Sequence, residues 1–140
     1  MLDSDHTFKA DSLERLLALA NKNKNAIVTG LAFQGNPPHA PALFDFDDKE
    51  MVAHPITNIP DKPFEVQMPG AYALLMPDHI LRNLGDSLFT RIGELEEDLS
   101  AGVRVRKAGY KFIVDPSILF PHLRPGKIDW NGENVTFKET

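Results

Sequence analysis

Eight consecutive residues, Ala26 to Phe33, read AIVTGLAF and carry one polar side chain, Thr29. A continuous apolar run of this length with β-branched residues predicts a strand covered on both faces, as in a sheet flanked by helices. The segment before it supports that arrangement. Asp11-Ser12 offers a helix N-cap, Leu13, Leu16, Leu17 and Ala20 recur at helical spacing, and Asn21 to Asn25 ends the pattern. An amphipathic helix followed by a central strand sets the fold class as α/β.

Downstream, prolines and glycines punctuate short apolar pieces between Gln34 and Pro69. Ala42 to Phe46, Met51 to Ile56 and Phe64 to Met68 suit short strands in a meander. Pro77 stands where a first helical turn tolerates proline, and Ile80, Leu81 and Leu84 run to a stop at Gly85. A third helix is expected over Glu94 to Ala108, with acids in its first turns and Arg104, Arg106 and Lys107 near its end, an order that complements the helix dipole. Phe112-Ile113-Val114 predicts a brief strand broken by Pro116, with extended chain resuming from Ser117 to Phe120. The tail from Arg124 to Thr140 contains the only tryptophan, Trp130, and shows no clear period.

The 140 residues fit one domain, long enough for a single core and short for an enzyme that binds two substrates. A net charge of -5 offers no basic surface for nucleic acid. The absence of cysteine removes disulfides and thiolate zinc sites, and fits a reducing, cytoplasmic setting. No apolar run approaches the roughly 20 residues of a membrane helix.

Two places concentrate chemistry-bearing side chains. Asp3 and Asp5 alternate around Ser4, so an extended chain would project both carboxylates from one side, where they could grip a magnesium or manganese ion bridging phosphate oxygens. Acidic pairs ahead of a helix also arise as turn and cap residues. Glu96-Glu97-Asp98 stands at a helix start, where the dipole alone favours acids, and His122 by itself reads as a capping or surface histidine.

Taken together, these segments carry more. Glu97 to His122, EDLSAGVRVRKAGYKFIVDPSILFPH, resembles the closing motif of family-two glycosyltransferases with the GT-A fold, and LDSDH resembles their metal-binding DxD motif. Between them, Val66 to Met76 is similar to the meander end and acceptor-side loop of those enzymes. The resemblance covers the chain to about His122. It implies a three-layer, GT-A-like (Rossmann-like) mixed sheet flanked by helices and truncated at its N-terminus, with the nucleotide-binding half lying before Met1.

The same resemblance implies roles. Asp3 and Asp5 would bind the metal and the nucleotide sugar, and His122 would complete the metal shell. Asp98 would be the general base, and Gly70, Ala71, Tyr72 and Glu97 would lie on the acceptor side. The implied reaction is an inverting transfer from a nucleoside-diphosphate sugar to a glycan or other hydroxyl acceptor, with Mn or Mg as cofactor. A sugar hydroxyl must lose its proton as it attacks, and a cation must neutralise the departing diphosphate. Ala101-Gly102 stands where those enzymes carry bulky residues, so the helix is either looser there or approached closely by a neighbour.

Two other functions are compatible with parts of the chain. Asp3-Ser4-Asp5-His6-Thr7 also resembles the DxDxT opening of haloacid dehalogenase-like phosphatases, with Thr29 and Gly85-Asp86-Ser87 as further candidate motifs. Alternatively, the chain is a non-catalytic binding or assembly remnant of the glycosyltransferase fold. A truncated sheet would then expose an edge and an apolar face for self-association or for a missing N-terminal half.

Overall fold

The computed structural model describes residues 1–124 and 126–138. Among the described residues it is a mixed α/β structure of three helices and small sheets. Helix α1 (Ser12–Lys22) leads into strand β1 (Ala26–Leu31), every residue of which is buried. β1 pairs in parallel with β6 (Lys111–Leu119), and β6 pairs on its other side with the antiparallel β4 (Phe64–Val66).

The open edge of β1 is also occupied. Val28 and Leu75 exchange both backbone hydrogen bonds, at 3.1 and 2.9 Å. Beyond Leu75, Leu74 N donates to Met1 O and Asp3 N to Tyr72 O, at 2.9 and 2.7 Å. The spatial order is therefore Met1 to Asp3, then residues 72–75, then β1, β6 and β4. This makes β1 central, as its apolar run requires.

The two faces of β1 feed different cores. Ile27 and Leu31 pack with Ile80, Ala101, Val105 and Phe112, whereas Val28 and Ala32 pack with Leu16, Leu19, Ile118 and Phe120. Helices α2 (Asp78–Leu84) and α3 (Glu97–Lys107) serve the first core, and α1 serves the second. A further sheet of β3 (Val52–Pro55), β2 (Leu43–Asp47) and β5 (Met68–Pro69) realises the expected meander only in part, because the piece expected over Phe64 to Met68 divides, Phe64–Val66 joining β6 and Met68 joining β2. This sheet packs Phe46 and Met68 against Val103 of α3.

Several expectations change. β6 is one strand through Pro116, because a bulge absorbs the proline. Gly30 alone spans the interval in which β6 inserts residues 115–118, between the pairs Thr29–Val114 and Leu31–Leu119. A Cβ on Gly30 would lie 2.1 Å from the Ile118 carbonyl oxygen, so only glycine fits. Helix α3 starts at Glu97 rather than Glu94. Ser100 ties down the preceding loop, accepting from Ile92 N at 2.9 Å and donating to Leu95 O at 3.3 Å. Gly102 is a site of close approach, where an added Cβ would meet Met68 Cγ at 2.7 Å.

The tail, aperiodic in sequence, forms a three-stranded antiparallel sheet of β7 (His122–Arg124), β8 (Gly126–Trp130) and β9 (Val135–Lys138). Of that tail, Pro125, Glu139 and Thr140 lie outside the described residues.

Helix α1 buries Leu16 and Leu19 but leaves Leu13 59% and Leu17 46% exposed. Leu13 joins Met1, Leu2, Phe8 and Leu74 along an apolar groove of about 230 Å³. Among the described residues, no helix is long and apolar enough to cross a membrane.

Candidate metal centre and the Asp98 cavity

Backbone pairing brings the two ends of the chain together. After Asp3, residues Ser4 and Asp5 form a turn, so the extended geometry that would align Asp3 with Asp5 is not adopted. The chain then bridges to the segment at His122. Leu123 N donates to Asp5 O at 2.7 Å and Thr7 N donates to Pro121 O at 2.9 Å, which leaves His6 and His122 directly opposite each other. Opposed residues flanked by such bonds form the closely spaced class of antiparallel pair. Their imidazoles accordingly stack, with centroids 4.3 Å apart and planes 22° apart.

Each imidazole addresses a different oxygen of one carboxylate. His6 Nδ1 lies 2.9 Å from Asp5 Oδ1, and His122 Nε2 lies 3.0 Å from Asp5 Oδ2. Both rings are buried, with side-chain exposures of 5% and 9%. His6 is backed by Tyr72 at a centroid distance of 5.7 Å. The other nitrogen of His122, Nδ1, is 2.8 Å from the Phe33 carbonyl oxygen. A carbonyl oxygen only accepts, so Nδ1 carries the proton. In a neutral ring Nε2 then turns its lone pair toward Asp5, and the contact is attractive only with a proton or a metal cation between the two atoms.

Electrostatics follow the geometry. Burial pushes the Asp5 carboxyl up, but the His122 hydrogen bond and the charges of both imidazoles prevail and hold it below the usual aspartate value. Burial and then the neighbouring His122 pull the His6 imidazole down, against the attraction of Asp5 and Asp3. One ligand atom from each of Asp5, His6 and His122 lies within 4.8 Å of the others. Asp3 stays outside this grouping, exposed. Ligand atoms at right angles around an octahedral ion, with bonds of about 2.1 Å, stand about 3.0 Å apart, so the Asp5–His122 spacing fits a divalent cation.

Asp98 opens on a different cavity. It lies in the first turn of α3 beside Pro69, Ala71, Leu74, Leu88 and Phe89. Burial drives its carboxyl above the usual aspartate value; the Leu99 amide, donating to Oδ1 at 2.8 Å, pulls the other way, and Glu96 and Glu97 add to the rise. Glu97 itself is exposed, 3.9 Å from Arg91. Among the described residues, no hydrogen bond or ion pair joins Asp98 to the Asp5 group.

The segment Gly70-Ala71-Tyr72 connects the two places. Gly70 N donates to Ala42 O at 2.7 Å, Ala71 walls the Asp98 cavity, and Tyr72 stands behind His6. Tyr72 is buried and its hydroxyl donates to Gly30 O at 2.7 Å, so an acceptor contact through that oxygen would have to break this bond.

His6 has no motif spacing that singles it out as a member of the group. Its only signal was the adjacency of Asp5 and His6, which becomes informative once His122 is found across the bridge. The chain matches no protein-family model, and no curated protein matches it.

Proposed function

We propose that the chain is the metal and acceptor portion of an inverting, metal-dependent glycosyltransferase with a GT-A-like, three-layer fold. It would move a sugar from a nucleoside-diphosphate donor to a hydroxyl acceptor. The observation that carries this reading is the 3.0 Å contact between Asp5 and His122, residues drawn from the two motifs that resemble that family's metal-binding pair. A mixed sheet with separate helical cores on the two faces of β1 is consistent with it.

In this mechanism Asp5 and His122 would hold the divalent cation, with Asp3 exposed outside that grouping. When bound, the cation neutralises the leaving diphosphate. The resemblance assigns the base to Asp98, whose burial raises its affinity for a proton. Asp98 opens on a separate cavity of about 10 Å³, room for one water, so the wall at Pro69 and Ala71 would have to move for an acceptor hydroxyl to reach it. One base on the acceptor side suffices for a single displacement, which inverts the anomeric centre.

A phosphatase built on Asp3 and Asp5 has less support. The Thr29 hydroxyl, its candidate second motif, is fully buried and donates to the Ala73 carbonyl, out of reach of a phosphate. Asp86 follows helix α2, where that chemistry needs a strand end. Self-association or a missing N-terminal half would cover the apolar groove beside Leu13. A stable monomer in sedimentation would count against that.

The test is calorimetric titration with a panel of nucleoside-diphosphate sugars, with and without manganese. Metal-dependent binding that is weakened by Asp5→Asn is expected. Equal binding with and without metal would overturn the assignment.

A further inference from the structure

We propose that His6 is a third metal ligand beside Asp5 and His122, and that its imidazole makes the centre select manganese, cobalt or zinc over magnesium. This rests on the reading of the site as a metal centre and assigns a ligand that the DxD resemblance does not supply.

Placement is the first argument. His6 is held opposite His122 by the two backbone bonds that flank the pair, and its Nδ1 is 2.9 Å from the carboxylate whose other oxygen meets His122. Three donor atoms from three side chains thus fall within 4.8 Å. Ligand atoms on one ion with bonds of about 2.1 Å stand about 3.0 Å apart when adjacent and about 4.2 Å apart only when opposite, so closure on an ion asks for a shift of up to about 2 Å. The Phe33 carbonyl on Nδ1 orients His122 in advance, as such contacts orient metal ligands. The His6 ring is held face to face with His122 and Tyr72, so it turns out of that stack to aim its in-plane lone pair at the same ion.

Chemistry is the second argument. Two imidazoles and one carboxylate make a nitrogen-rich donor set. Magnesium takes oxygen ligands and keeps its water, whereas imidazole suits the later first-row ions, whose affinities rise from manganese through cobalt. A centre with Asp5 and His122 alone would discriminate less.

The untagged full chain is titrated with Mn2+, Co2+ and Mg2+ by calorimetry, with the visible absorption of bound Co2+ as a second readout. Co2+ is expected to bind more tightly than Mn2+, and a hundredfold excess of Mg2+ is expected not to displace either. His6→Asn should weaken Co2+ binding by about tenfold or more and narrow the Co2+/Mg2+ ratio. Because a buried histidine variant can fail to fold, pulsed paramagnetic resonance of Cu2+ bound to the unmodified chain counts coupled imidazoles directly, and two are expected. One imidazole, or a His6→Asn variant with unchanged affinity and selectivity, would overturn this inference and leave the Asp5–His122 centre standing. No ion bound by the unmodified chain would overturn both.

Discussion

The Nδ1 proton of His122 is donated to the Phe33 carbonyl at 2.8 Å, and the Phe33 ring stacks on Trp130 at 5.5 Å. The Phe33 carbonyl therefore fixes the tautomer of a candidate metal ligand, and the tail sheet packs on the side chain of the same residue. Trp130→Ala should destabilise the fold by about 2 kcal/mol through lost burial and lost ring stacking. It should also weaken metal binding severalfold, although Trp130 touches no donor atom. Chemical denaturation and calorimetry on the same samples test both parts. Unchanged metal affinity in a folded variant would show that Phe33 holds His122 without help from the tail.

Acid should weaken the metal-free chain in two steps of the same sign. The folded His6 imidazole titrates below its ordinary value of 6.5 because burial and His122 oppose its charge, so the unfolded chain binds the proton first. Its contribution is fully present above about pH 6.5 and is lost as pH falls from there toward the folded value. Asp5, also depressed, contributes above its ordinary value of 3.8 and is lost as pH falls through its folded value. Thermal melts between pH 8 and pH 5 should show declining stability, and His6→Gln should flatten that decline. An unchanged slope in His6→Gln would assign the loss to another group.

Asp98→Asn should separate stability from chemistry. The folded carboxyl is raised by burial, so the folded state holds its proton more tightly than the unfolded chain, and stability falls as pH rises from 3.8 through the folded value. Asparagine cannot ionise and can still accept from Leu99 N. The variant should therefore melt higher than the parent at pH 7 while losing about 10²–10⁴-fold in sugar transfer. Nucleotide-sugar binding should stay largely intact, because Asp98 lies apart from the Asp5 group. Normal transfer by Asp98→Asn would remove the base assignment.

How much was legible in the sequence depended on whether the deciding contact was local. Ser12 to Lys22 and Asp78 to Leu84 were visible from caps and periodicity, and Ala26 to Leu31 from an apolar run that only a two-sided burial explains. Pro116 misled because its cost is met non-locally, by the bulge opposite Gly30. The tail hairpin also escaped periodicity. Its strands are short, and the turn Asn131–Asn134, in which the Asn131 side chain accepts from Glu133 N and Asn134 N, was its one local cue. At the site, Asp5 and His122 were named by motif resemblance. The Asp3–Asp5 alignment failed because a turn replaced the extended chain, and His6 emerged only from cross-strand pairing.

Gly102 offers a test of packing beneath the Asp98 cavity. Alanine is favoured over glycine in a helix by about 1 kcal/mol, so Gly102→Ala on an isolated helix would stabilise it. Here the added methyl would sit 2.7 Å from Met68 Cγ and 3.1 Å from its sulfur, and Met68 is fully buried. The resulting strain should exceed the propensity gain and give a net loss of about 1–3 kcal/mol. Met68→Ala alone should also destabilise, by vacating core volume, whereas the pair Gly102→Ala with Met68→Ala should lose less than the sum, because each change relieves the other's defect. A double-mutant cycle in urea measures that coupling. Strict additivity would mean that α3 and β5 can separate freely, and the wall that Ala101 and Pro69 give the Asp98 cavity would then be softer than the structure places it.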